Sequence, residues 1–409
     1  MSALAVGLTA VTAVAADIPP DSPIARNRMG TMTVKASPNA KITVEQLRHE
    51  FWFGATVPGS IFNGRASADD IAKWKEVFRA NFNAGVIEAA FKWHDMERER
   101  GKVDYSQVDK MLEWADSENI PLRGHCIFWG IPNRVQPWLK ELNDHDMRLA
   151  IQQRGREIGA RYRDRFAEYD LNNEMIHANY YEERLGPAFI REMAGWVKDG
   201  DPKAKLFVND YDITTGRRLA DYVKHIQRLL DMGVPIEGIG VQGHLHGDEF
   251  DPAALKNALD ELAKFKLPIR VTEYNFPGQR SKYYAQQDWR SKQLTAEEEQ
   301  AKAKALKQFF EICFSHPAVT GIMMWGFWEG ANWIPQSSLY KRDWTPTPAA
   351  EAYRDLVFNQ WWTKWSGSAD ASGTATVRAF FGKYRVTVNG KERVVDFKKD
   401  GSFTVTVGD

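Results

Sequence analysis

Leu171-Asn172-Asn173-Glu174 and, about a hundred residues later, Val271-Thr272-Glu273 each close an apolar, strand-like run on a glutamate. Working outward, the chain from Phe51 alternates short apolar runs with amphipathic stretches, the pattern of a parallel sheet with crossover helices. Eight candidate strands end near Thr56, Ala90, Phe128, Asn172, Asn209, Gln242, Thr272 and Met324. Between them the spacing predicts helices over 68–81, 145–162, 217–231, 251–264, 295–315 and 348–358, with Asp251 capping the fourth and Pro252 at its first position. Eight strands in 409 residues fit an α/β fold, a (β/α)8 TIM barrel with room for a small appendage.

In such a barrel the reacting groups gather at the carboxyl ends of the strands. Glu88 and Lys92 follow strand two, His125 and Trp129 lie at the end of strand three, and Glu174 follows strand four. Asn209 and Asp210 close strand five, Gln242 and His244 strand six, Glu273 strand seven and Trp325 strand eight. Polar residues that serve only stability would not favour one end of nearly every strand, so this clustering reads as a site. Two glutamates on separate strand ends suit retaining glycoside hydrolysis, in which one protonates the leaving oxygen and the other attacks.

Glu88-Ala89-Ala90-Phe91-Lys92-Trp93, Arg123-Gly124-His125-Cys126-Ile127-Phe128-Trp129, Asp170-Leu171-Asn172-Asn173-Glu174, Gly238-Ile239-Gly240-Val241-Gln242-Gly243-His244 and Val271-Thr272-Glu273 resemble, in order, the barrel motifs of glycoside hydrolase family 10, the retaining endo-β-1,4-xylanases. The resemblance implies that Glu174 is the general acid/base and Glu273 the nucleophile, supported by His244. It implies that Asn173 holds the sugar 2-hydroxyl, and that Glu88, Lys92, His125, Trp129, Gln242, Trp325 and Trp333 bind the glycone. Asn209 and Tyr211 sit where the family has wall residues of the cleft. No cofactor or metal is implied. With such a pair about 5–5.5 Å apart, an anionic Glu273 raises the pKa of Glu174, and esterification of Glu273 lets it fall again.

Two positions depart from the family pattern. Ala89 stands where the family usually has asparagine, so an amide that would bond a glycone sugar is missing. Asn275 stands where the family commonly has an aspartate paired with the strand-six histidine, so His244 keeps an orienting bond but loses a charge that favours imidazolium. A shifted pH optimum or a reduced rate is expected.

Other chemistries find less support. Gly238-Ile239-Gly240-Val241-Gln242-Gly243 matches G-x-G-x-x-G, but His244-Leu245-His246-Gly247 follows where a helix should begin, which argues against a dinucleotide site. His244 and His246 could form a metal pair, yet the remaining histidines are scattered and strand one offers no ligand. Neither G-x-S-x-G nor a P-loop is present. Lys plus Arg equals Asp plus Glu at 54 each, so charge points to neither nucleic acid nor an anionic membrane as partner, and is compatible with a neutral polysaccharide bound by a monomer. The 15 tryptophans supply flat faces for sugar rings as well as core. Two cysteines, Cys126 and Cys313, are too few for a disulfide framework.

Residues 1–16 form a small-residue apolar run ending in Ala13-Val14-Ala15-Ala16, shaped like a signal-peptidase site though without preceding basic residues, which suggests a secreted or periplasmic protein. A linker and an N-terminal hairpin are expected over 17–50, the catalytic barrel over 51–362 and a small β-domain over 366–409. The segment 366–373 reads as a linker, and Asn389-Gly390 as a tight hairpin turn. Four short C-terminal strands make a poor core alone, so the hairpin over 31–45 is expected to join them in one discontinuous β-sandwich. The absence of an aromatic row on one face favours a structural buttress over a carbohydrate-binding module.

Overall fold

The computed structural model describes residues 18–245, 247, 249–399 and 403–407; the signal-like run 1–16 and His246 lie outside them. The described residues fall into two compact units, one drawn from Met1–Phe51, Phe314–Pro317 and Ala352–Asp409, the other from Trp52–Cys313 and Ala318–Glu351.

The first unit opens with β1 (Met29–Lys35) and β2 (Lys41–His49). The second carries β3 (Trp52–Val57), β4 (Ala84–Ile87), β5 (Leu122–Gly124), β6 (Phe128–Trp129), β7 (Glu168–Asn173), β8 (Leu206–Asp210), β9 (Gly238–Val241), β10 (Ile269–Tyr274) and β11 (Val319–Met324). Every neighbouring pair among these is parallel. β11 pairs with β3 and β5 with β7, so the sheet closes into an eight-position ring in which β5 and β6 together form the third position. The expected single third strand is thus broken at His125–Ile127, and Ile127 N–H donates to Asp170 O at 2.9 Å instead of continuing the ladder. Register shifts fall between Asp170 and Asn173 of β7 and between Val271 and Tyr274 of β10, at the strand ends that carry the two glutamates. Such irregularities re-aim side chains near active sites.

Crossover helices form where capping and periodicity agree. Helix Ala68–Asn81 starts where Ser67 Oγ accepts from Asp70 N–H. Helix Pro252–Ala263 follows Asp251, whose carboxylate accepts from Ala253 and Ala254 N–H. At the start of Ala296–Ser315, Thr295 Oγ1 accepts from Glu298 N–H while Glu298 Oε2 accepts from Thr295 N–H, a reciprocal capping box. The helix expected over 348–358 is α-helical only over Pro348–Arg354 and widens to a π-helical turn over Asp355–Gln360.

The first unit adds β12 (Lys364–Ser368), β13 (Thr374–Phe380), β14 (Gly382–Val388), β15 (Lys391–Phe397) and β16 (Phe403–Thr406). It is a sandwich of two sheets, ordered β13-β1-β16 and β12-β2-β14-β15. The expected hairpin of β1 with β2 does not form. β1 pairs antiparallel with β13 and parallel with β16, whereas β2 pairs antiparallel with β12 and β14. Alternation marks which face of a strand is buried but not which strand lies beside it, and β1 and β2 bury Met32, Val34, Ile42 and Val44 in one core from opposite sheets. The segment read as a linker also begins as a strand, since Lys364–Ser368 pairs with Lys41–Glu45 despite its mostly exposed side chains. Asn389-Gly390 does make the two-residue turn between β14 and β15, both residues at positive φ (47° and 87°) as a type I′ hairpin requires.

Because β1 and β2 depend on the later strands to cover their apolar faces, deleting residues 366–409 should strip them of partners and cost the protein its solubility. Soluble, monodisperse truncated protein by size-exclusion chromatography would contradict this.

Candidate active site

The strand ends of the barrel surround a cleft of about 1390 Å³. Glu174 is the first residue beyond β7 and sits at φ 62°, in the left-handed region that costs a side-chain-bearing residue about 1–2 kcal/mol. The turn is held by Glu174 N–H donating to Asn209 O at 2.9 Å on the next strand. Its carboxylate accepts from Trp129 Nε1 and from Gln242 Nε2, each at 2.9 Å. Burial raises its pKa, the Gln242 hydrogen bond opposes that, and the charge on Glu273 raises it further.

Glu273 has the opposite environment. Its side chain is 4 % exposed, with Oε1 accepting from Asn209 Nδ2 at 2.9 Å and Oε2 lying 3.1 Å from His244 Nε2. Burial alone would push its pKa up. The charge of His125, the hydrogen bond from His244 and the charge of Lys92 outweigh burial and lower it, to about 2 where a protonated His244 adds its own charge. Two carboxylates facing one cleft are thereby pushed in opposite directions, the arrangement that separates an acid from an anion.

The remaining expected residues divide by depth. Lys92 lies over Trp129 (4.8 Å from Nζ to ring centroid) and nearer than 6 Å to Trp325. Trp325 and Trp333 stand edge-on to His244, at 6.3 and 5.4 Å between ring centroids. Glu88 and Ala89 line the cleft, and burial raises the Glu88 pKa against the pull of Lys92, His125 and Arg290. Tyr211 also lines it, stacked on His177 with centroids 3.5 Å apart and planes 3° from parallel. His125 is 2 % exposed, bonded through Nδ1 to Asp170 Oδ2 at 2.8 Å. Asn173 is 1 % exposed and its Oδ1 accepts from Asn209 Nδ2 at 3.0 Å.

Asn209 is not a wall residue. It lies beneath the cleft floor at 1 % exposure, where its amide donates to both Asn173 and Glu273 and its oxygen accepts from Thr272 Oγ1 at 2.7 Å. Sequence reading passed over three further contributors. Asp170 orients His125 and pairs with Arg123, itself bonded to Glu168, which also accepts from Arg270. His177 backs Tyr211, and Arg280 clamps Asp212 with both guanidinium nitrogens. Asp170 carried a signal, a charged residue inside a strand that ends on the Asn172-Asn173-Glu174 motif; His177 and Arg280 come from loops whose spacing carries none. His246 of the considered metal pair lies outside the described residues, among which no group of three potential ligands is gathered.

A family model, glycosyl hydrolase family 10, matches residues 45–356, most of the chain. The chain belongs to glycosyl hydrolase family 10. Within the family's reach, it is 32 % identical over 378 residues to endo-1,4-beta-xylanase 1 of Arabidopsis thaliana, covering 90 % of this chain and 37 % of that protein. It is 34 % identical over 351 residues to anti-sigma-I factor RsgI6 of Acetivibrio thermocellus, covering 86 % of this chain and 42 % of that one. The chain thus spans about two fifths of the length of these curated relatives. The barrel resembles that of xylanase 10B from Thermotoga petrophila RKU-1, solved in complex with xylobiose, with a TM-score of 0.64, 24 % identity and coverage of 76 % and 94 %.

For this family 10 site, the hydrogen bond from Gln242 lowers the Glu174 pKa. Gln242→Met should therefore raise it further, read by pH titration of ¹³C-labelled glutamate carboxyl resonances; an unmoved Glu174 titration would contradict the assignment.

Proposed function

We propose that the chain is a retaining endo-β-1,4-xylanase that cleaves xylan by double displacement, with Glu174 as acid/base and Glu273 as nucleophile, working as a monomer outside the cytoplasm. One observation carries the chemistry: the two carboxylates share a cleft, one pushed toward the neutral acid and the other held as an anion. The family membership and the relatives named as xylanases support the substrate class.

In the first step Glu174 gives its proton to the glycosidic oxygen as the C1–O bond breaks, while a Glu273 carboxylate oxygen bonds to C1. The negative charge of Glu273 is consumed in the ester, which removes one of the causes that raise the Glu174 pKa. Glu174, now a carboxylate, takes a proton from water as the water oxygen attacks C1 and releases Glu273. Lys92, His125 and the tryptophans at the glycone end supply charge and flat faces for sugar hydroxyls and rings. Ala89 offers no side-chain hydrogen bond to the glycone, which favours a cleft that also accepts another β-1,4-glycan.

Activity should fall at low pH as Glu273 is protonated and at high pH as Glu174 loses its proton. Glu174→Ala should lower xylan hydrolysis by about 10²–10⁴-fold but spare the first step on an aryl xyloside with a good leaving group, which needs no acid. Glu273→Ala should abolish both. Product release from xylan, mixed-linkage glucan and mannan measures this and the substrate together. Faster release from glucan or mannan would move the substrate to another β-glycan, and glycan binding without release from any would identify a non-catalytic binding barrel.

A further inference from the structure

Two residues beyond Glu273, Asn275 Nδ2 has no hydrogen-bond partner among the described residues, on a side chain 1 % exposed. Asn275 Oδ1 faces His244 Nδ1 at 2.9 Å, and His244 Nε2 faces Glu273 Oε2 at 3.1 Å. The ring and the amide are obliged to meet. Leu245 N–H donates to Asn275 O at 3.1 Å and Asn275 N–H to Gly243 O at 3.4 Å, so the backbone bridges the ends of the two strands at this point.

An amide oxygen against Nδ1 requires a proton on Nδ1. Nε2 then has two states. Without a proton it sets a lone pair against the Glu273 carboxylate. With one, the ring is an imidazolium in a site already supplied with charge by Lys92 and His125, and the Asn275 N–H groups stay without an acceptor. Half a turn about the Asn275 Cβ–Cγ bond removes both difficulties. Nδ2 then donates to Nδ1, and Nε2 keeps its proton for Glu273. The atom left without a partner becomes a carbonyl oxygen, which tolerates this better than an N–H does.

We infer that Asn275 is a positioning residue that donates from Nδ2 to His244 Nδ1 and so fixes His244 as the neutral tautomer with its proton on Nε2, aimed at Glu273. The inference rests on Glu273 being the nucleophile. An aspartate at 275 could only accept from Nδ1–H and would favour the imidazolium, whereas the asparagine donates and excludes it. Charge support for Glu273 then comes from Lys92 and His125, and Glu88, Glu174 and Arg290 are further titratable or charged groups that line the same cleft. Without a charge on His244, the acidic limb of kcat/KM should lie above the value of about 2 that a protonated ring would allow.

The test uses the full chain labelled with ¹⁵N-histidine, the His244 signals being assigned by their loss in His244→Gln. Near neutral pH the protein should show a pyrrole-like Nε2 and a pyridine-like Nδ1. Asn275→Asp should convert both to the protonated form and move the acidic limb of kcat/KM down by about one pH unit, a tenfold gain at a fixed pH on that limb. Two protonated nitrogens or an Nδ1–H tautomer in the unsubstituted protein would overturn the inference, as would an aspartate variant with an unchanged spectrum. If the variant does not fold, the spectrum of the unsubstituted protein decides alone. The nitrogen shifts need no turnover, so a barrel that binds glycan without cleaving it would sink the hydrolase reading and leave the tautomer result standing.

Discussion

A carboxylate buried in a barrel keeps its charge only if hydrogen bonds and positive charge replace the water it has lost. Glu273 is such a group, and much of the second unit is arranged around it. Asn209 from β8 and His244 from beyond β9 each reach one of its oxygens. His125 adds charge 4.0 Å away, and is itself held by Asp170, which pairs with Arg123. Arg123 shares Glu168 with Arg270, so ion pairs run through the barrel interior from β10 to β5 and β7. Arg123 and Asp170 have no exposed surface, and a partner removed from such a set would leave an uncompensated buried charge.

The same construction gives Glu174 the opposite character. Its donors, Trp129 and Gln242, are neutral, and the anion of Glu273 is the charge that raises its pKa. Environment rather than residue type separates the two glutamates. The cost is local: a left-handed backbone at Glu174 and a register shift in each glutamate-bearing strand. Gly326, at φ 95° immediately after Trp325, is a similar concession, because a Cβ there would lie 2.4 Å from the Asn332 side chain.

Much of this was legible in the sequence. Apolar runs ending on polar residues place the strands, since a parallel barrel buries its strands and exposes only their ends. The cap at Asp251 marks a helix start by local chemistry alone. What stayed hidden depends on partners remote in sequence. The alternation in β1 and β2 cannot say that they enter different sheets, and nothing in Lys364–Ser368 shows that β2 waits beside it. The depth of Asn209 follows from which atoms it meets across the barrel, and a strand-end position is shared by cleft walls and cleft floors alike.

In the proposed double displacement Glu273 becomes covalently bound to the sugar, and trapping that ester is the decisive measurement. A 2-fluoro xylobioside with an activated leaving group slows the second step, so the glycosyl-enzyme should accumulate and be found by mass spectrometry of the digested protein. One equivalent of label is expected on the peptide containing Val271-Thr272-Glu273, at Glu273 itself. Label on another carboxylate, or turnover with no label on any residue, would contradict it.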